Sequence, residues 1–150
     1  MSRQQSANKT ILLVEDNQDD ELLTLLAFKE SNLANQITIA RDGAEALDLL
    51  FATGQRAEQE RVDPTLVLLD LKLPKVDGLE VLRRLRADER TKRTPVVILT
   101  TSGEERDLVS GYSLGCNSYV RKPVDMAGFV EAVRQLGLYW LVLNEPPPQR

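Results

Sequence analysis

Five residues at the ends of apolar runs could do chemistry in this sequence. Glu15-Asp16 follow Ile11-Val14, Asp70 follows Leu66-Val67-Leu68-Leu69, Thr100 follows Val96-Leu99, and Lys122 lies just past Asn117-Val120. A carboxylate at the tip of a buried strand serves as a nucleophile, a metal ligand or a helix cap. Three carboxylates converging in one crevice repel one another, so a cation must sit among them. All-oxygen donors without histidine or cysteine favour Mg2+, which takes one or two carboxylates, a carbonyl and waters. Lys122 and the Thr100 hydroxyl complete a cradle for a tetrahedral dianion around Asp70. An ion-pair network that merely ties loops together would account for any one of these residues. It accounts poorly for all five at separate strand ends.

Composition removes most competing chemistries. The 150 residues contain no histidine, which excludes Ser-His-Asp and Cys-His catalysis and histidine-containing metal sites. Cys116 stands alone, so there is no internal disulfide framework, and it reads as a small buried hydrophobe. Basic and acidic residues (19 and 23, net charge -4) are interspersed, and no basic face suggests nucleic acid. No run reaches the ~18 apolar residues of a membrane span, and Met1-Thr10 is too polar for a signal peptide. A cytoplasmic protein of one domain is expected, with no membrane contact.

The elements that must position the five residues alternate along the chain. Strands are expected at Lys9-Val14, Gln36-Ala40, Thr65-Leu69, Val96-Leu99 and Asn117-Val120, each a short aliphatic or alternating run. Helices are expected at Asp19-Ser31, Ala44-Ala52, Leu79-Ala87, Glu104-Ser113 and Asp125-Leu143, with Arg83, Arg84 and Arg86 facing water. Thr53-Asp63 is a charged loop, long for a connection of its kind. Five such units imply an α/β fold with a doubly wound, five-stranded parallel sheet, because right-handed crossovers leave few alternatives. Strand order 2-1-3-4-5 puts the first and third strands side by side, so Glu15, Asp16 and Asp70 share one crevice. The domain is expected over residues 9–143, between an N-terminal tail (1–8) and a Pro-rich tail (144–150).

Two acidic residues near the crevice have simpler readings. Asp19 and Asp20 fall in a helix's first turn, where the dipole favours negative charge. Asp77 before Gly78 reads as a helix cap. The final helix carries more apolar surface than one core contact absorbs: Phe129, Val133, Leu136 and Trp140 form one stripe, and Leu138-Leu143 has almost no polar face. A partner interface there is expected to include Tyr139, Trp140, Leu141 and Leu143.

Four segments, in this order and spacing, resemble the receiver domain of two-component response regulators over residues 9 to 136. They are Ile-Leu-Leu-Val-Glu-Asp at 11–16, Asp-Leu-Lys-Leu-Pro-Lys-Val-Asp-Gly at 70–78, Pro-Val-Val-Ile-Leu-Thr-Thr-Ser at 95–102 and Ser-Tyr-Val-Arg-Lys-Pro at 118–123. The resemblance implies a flavodoxin-like fold and a phosphorelay role, with Asp70 accepting a phosphoryl group from a sensor histidine kinase. By the same resemblance Asp16 ligates Mg2+ directly and Glu15 through water. Asp70 and the Lys72 carbonyl complete the protein ligands. Thr100 contacts the phosphoryl group, Lys122 pairs with Asp70 or its phosphate, and Tyr119 changes rotamer. The Lys122-Pro123 bond is expected to be cis. Lys72 departs from the pattern, since many receivers carry a neutral residue there.

The long loop and the Tyr139-Trp140-Leu141 extension further resemble single-domain regulators that serve bacterial and cyanobacterial phytochrome kinases. This implies a bacteriophytochrome partner. The apolar excess of the last helix, for its part, predicts a homodimer through the fourth helix, fifth strand and last helix. Such a protein catalyses only its own phosphorylation and dephosphorylation. The competing enzymatic reading is an aspartate-nucleophile phosphatase of the haloacid dehalogenase type, which wants an acid/base Asp where this chain has Lys72. A transcription factor is disfavoured because only seven residues follow Leu143.

Overall fold

The aliphatic runs pair as parallel strands in a computed structural model that describes residues 9–31 and 36–148. In chain order the elements are β1 (Thr10–Val14), α1 (Gln18–Ser31), β2 (Gln36–Ala40), α2 (Gly43–Phe51), β3 (Leu66–Leu69), α3 (Gly78–Ala87), β4 (Val96–Thr100), α4 (Glu105–Leu114), β5 (Ser118–Arg121) and α5 (Met126–Leu138). A 3-10 turn occupies Gly54–Arg56, and a π-helical turn at Tyr139–Leu143 prolongs α5. The sheet order is β2-β1-β3-β4-β5, all parallel, as the sequence implies.

Alternation along each strand divides the core into two layers. Leu12, Val14, Val67, Leu69, Val96 and Ile98 face α2, α3 and Cys116. Ile11, Leu13, Leu66, Leu68, Val97 and Leu99 face Phe28 of α1 and Phe129 and Val133 of α5. Because both faces are covered, the central strands are apolar throughout rather than alternating with polar residues. Helix starts are fixed by aspartates: Asp42, Asp77 and Asp125 accept from the amides of Glu45, Glu80 and Gly128 at 2.7, 3.1 and 3.1 Å. Asp77 is therefore the cap the sequence suggests.

Three side-chain placements differ from the sequence reading, which puts Arg86 in water, Leu22, Leu23, Leu25, Leu26 and Phe28 on one apolar stripe of the first helix, and Leu141 at an interface. Arg86 does not face water but donates to the carbonyls of Gly115 (2.9 Å) and Thr94 (2.8 Å), bracing α3 against the lower ends of β4 and β5. On α1 the buried residues are Glu21, Thr24, Ala27 and Phe28, while Leu22 and Leu26 are exposed. Leu141, expected at an intermolecular interface, is 1% exposed and belongs to the protein's own core. The buried series Phe129, Val133, Gly137, Leu141 advances by four residues, and the wide π turn keeps its last member facing the sheet. Trp140 is partly buried against the same cluster. Tyr139 and Leu143 remain exposed and, with Leu138 and Ser31, line a cavity of about 570 Å³ beside α1.

By length and composition Met126–Leu143 could cross a membrane. Here Phe129, Val133 and Leu141 are buried against the sheet, and Glu131 pairs with Arg134. The Lys9 ammonium donates to the Leu141 carbonyl, joining the entry of β1 to the exit of the last helix.

Candidate functional site

The sheet's hydrogen bonding runs one residue past its strands and fixes the site. Glu15 donates its amide to the Ala40 carbonyl at 2.9 Å, Asp70 to Val14 at 3.1 Å, and Lys122 to Thr100 at 2.7 Å. Each reactive side chain therefore leaves a rigid strand end rather than a free loop. Gly78 closes the crevice from below. A Cβ there would stand 2.2 Å from the Asp70 carbonyl oxygen and 2.7 Å from the Leu71 Cα, so the turn before α3 lies against the backbone of Asp70 only because residue 78 has no side chain.

Carboxylate oxygens of Glu15, Asp16 and Asp70 lie within 4.8 Å of one another, with Glu15 and Asp70 buried and Asp16 exposed. This donor set suits a hard divalent cation: it is all oxygen and open to water at Asp16. Asp70 is oriented from both sides. Its Oδ1 accepts from the Leu71 amide at 2.7 Å, and its Oδ2 faces the Lys122 ammonium at 3.2 Å. The same ammonium donates to Glu15 Oε1 at 2.7 Å and Asp20 Oδ2 at 2.7 Å.

Asp20 is the residue that sequence reasoning missed. Its place in the first turn of α1 gave a sufficient reason for an acid there, yet its carboxylate is a partner of the only cation in the crevice among the described residues. Asp16 precedes the helix, which begins at Gln18, so no helical spacing ties Asp20 to the strand-end acids, and only the packing of α1 over the sheet brings it to Lys122. Asp19 has no bond to this cluster among those described.

Burial pushes Glu15 up to about 7, an effect that bonding to Lys122 only partly offsets. Burial works to lower Lys122, but the Asp20 and Glu15 carboxylates outweigh it and hold the ammonium charged above its ordinary value. The crevice thus carries one committed cation amid more negative charge than it can balance.

Thr100 is fully buried at the end of β4, and its Oγ1 accepts from the Ser102 amide at 3.3 Å. Tyr119 in β5 is half-buried and donates its hydroxyl to the Ser102 carbonyl at 3.0 Å. Lys72, two residues beyond Asp70, extends an exposed side chain to Asp107 at the start of α4. One expectation fails: no cis peptide bond occurs among the described residues, so Lys122-Pro123 is trans. Trans is the lower-energy isomer even before proline, and from it the Lys122 amine already reaches three carboxylates.

A five-stranded parallel sheet with carboxylates, a buried lysine and a buried threonine at its strand ends is the layout of a receiver domain, and comparison with known proteins agrees. Residues 11–134 match the response regulator receiver domain, and the chain belongs to that family. Among its relatives, Response regulator Rcp1 of Synechocystis is 38% identical over 141 residues, covering 94% of this chain and 95% of Rcp1. The Mn2+-bound form of Rcp1 superposes with a TM-score of 0.86. The phosphorylated cyanobacterial phytochrome response regulator RcpA gives 0.87 at 38% identity, covering 94% of this chain and 99% of RcpA. Bacteriophytochrome response regulator RtBRR is 52% identical, covering 94% and 85%, with a TM-score of 0.73. The protein is a response regulator homologous to phytochrome-associated regulators, and the phosphatase alternative finds no support.

Proposed function

We propose that Asp70 accepts a phosphoryl group from the phosphohistidine of a sensor kinase of the bacteriophytochrome kind. The observation that carries this reading is the position of Asp70: its free oxygen faces Lys122 at 3.2 Å, inside a carboxylate cluster fit for a divalent cation. An Asp70 oxygen attacks phosphorus in line, the P–N bond breaks, and its electron pair leaves with the imidazole nitrogen of the partner. Lys122 and the Thr100 hydroxyl stabilise charge on the transferred oxygens, while Glu15, Asp16, Asp70 and the Lys72 carbonyl would hold Mg2+. When bound, the metal neutralises phosphoryl charge. The phosphoryl donor is another protein, because this chain has no histidine. Relatives whose titles name phytochromes support the choice of kinase.

Thr100 and Tyr119 then relay the modification to the surface formed by α4, β5 and α5. The cytoplasm is the compartment where such a kinase delivers phosphate, and neither nucleic acid nor a membrane is a partner. We further place a homodimer contact on the last helix. Its membership is revised to Leu138, Tyr139, Val142 and Leu143, exposed at 45, 49, 56 and 65%. A self-complementary patch on a two-fold axis covers both copies.

Incubation with acetyl phosphate and Mg2+ tests the central reading. Wild type gains the mass of one phosphoryl group and Asp70→Asn gains none; an undiminished mass shift in Asp70→Asn refutes it. Sedimentation at micromolar concentration tests the dimer, which a strictly monomeric profile excludes.

A further inference from the structure

Lys72 sits where many receivers have no charge, and its surroundings give that charge a use. Its Nζ stands 3.5 Å from Asp107 Oδ2, with the lysine side chain 61% exposed and that of Asp107 11%. The same Asp107 oxygen accepts from the Ser102 hydroxyl at 2.6 Å. Ser102 in turn offers its amide to the Thr100 hydroxyl oxygen and its carbonyl to the Tyr119 hydroxyl. One carboxylate therefore joins the residue two places after Asp70 to the loop that holds both switch residues. Lys72 is bound loosely, by a long contact to a single charge. Asp107 is bound tightly to Ser102, and that bond, ahead of attraction to Lys72, holds its carboxyl below the usual range.

We propose that Lys72 is a shared cation: in the resting protein it tethers Asp107, and through it the Ser102 loop, and it transfers to the phosphoryl group when Asp70 is modified. The proposal rests on Asp70 being the phosphoacceptor. A phosphoryl group brings about two negative charges against the single charge of Asp107, so it wins the competition for a long, flexible ammonium nearby. Loss of Lys72 takes the ion-pair partner from Asp107, leaving only the weaker attraction of Arg106, and loosens the loop from which Tyr119 must turn. Asp107 acts here as a positioning residue, and it does so through Lys72.

The test is a double-mutant cycle on the full chain, titrated with beryllofluoride, a tetrahedral phosphoryl analogue, in saturating Mg2+ and followed by 19F NMR. Asp107→Asn keeps an acceptor for Ser102 but loses the charge that competes for Lys72. It is expected to bind the analogue ~2- to 5-fold more tightly, the range of a half-exposed ion pair. Lys72→Ala, at an exposed side chain, is expected to weaken binding. In the Lys72→Ala background, Asp107→Asn is expected to change nothing. An equal effect of Asp107→Asn in both backgrounds, or none in wild type, overturns the proposal. Binding retained by Asp70→Asn, or absent from wild type, would overturn the site reading itself and this inference with it.

Discussion

Replacing Lys122 by Met should turn the crevice into an unbalanced cluster of negative charge, and the structure sets the size of the effect. The Lys122 side chain is 4% exposed, and its ammonium contacts Glu15, Asp20 and Asp70 at 2.7, 2.7 and 3.2 Å. Removing one side of a buried ion pair costs about 3–5 kcal/mol. The lower end applies here, because the Asp20 carboxylate keeps some access to water and Glu15 can take a proton. At 2–4 °C per kcal/mol for a chain of this length, the loss is about 6–12 °C in Tm. The wild-type lysine has a raised folded pKa, so its contribution is complete at every pH below its ordinary value and none of the effect comes from its own titration. The deficit should instead follow Glu15. It should be larger at pH 8, where that carboxyl is ionised, than at pH 5.5, where it is protonated. Thermal unfolding followed by circular dichroism in EDTA measures it. Added Mg2+ should then raise the Tm of the variant more than that of wild type, since the metal replaces the missing cation. A Tm within 2 °C of wild type at pH 8 in EDTA would refute the assignment of Lys122 as the electrostatic keystone of the site.

The remaining predictions concern the metal, the switch and the turn. Because Glu15 is raised to about 7, the folded apo protein holds a proton that the unfolded chain has released. This group's contribution to stability therefore falls as pH rises from about 4.5 to 7, while Mg2+ affinity rises over the same window and levels off above it. Calorimetric titration at pH 5.5, 6.5 and 8 checks this, and Asp16→Ala should lose most of the binding at every pH. Thr100→Ala should still take up one phosphoryl group from acetyl phosphate by mass but leave partner affinity unchanged on phosphorylation. Equal affinity shifts in variant and wild type would break the proposed coupling. Gly78→Ala should destabilise by about 1–3 kcal/mol and slow phosphorylation, because the new Cβ meets the backbone of Asp70 and Leu71 rather than a movable side chain. Unfolding in urea and the acetyl phosphate reaction read the two effects separately.

The residues legible in the sequence share one property: each closes an aliphatic run. Glu15, Asp70, Thr100 and Lys122 could be placed because a parallel sheet delivers the ends of its strands to one edge, whatever the details of the loops. Asp20 closes no run. Its contact with Lys122 depends on how α1 leans over the sheet, which local sequence does not specify. Leu141 was misplaced for a different reason. A period of 3.6 sends it outward, and only the π turn, which no single residue announces, brings it back. The trans Lys122-Pro123 bond was likewise beyond composition and spacing, since proline permits both isomers.

The Lys9–Leu141 tether has a practical corollary for anyone building with this protein. It holds the first described strand and the end of the last helix together, and Pro146–Pro148 beyond it run beside Thr65 and Pro95, where β3 and β4 begin. Both ends of the described chain thus lie at the pole where strands start, a sheet's length away from the edge where Asp70 stands. A fluorophore, a surface anchor or a fused domain attached at either end would leave the reactive edge open.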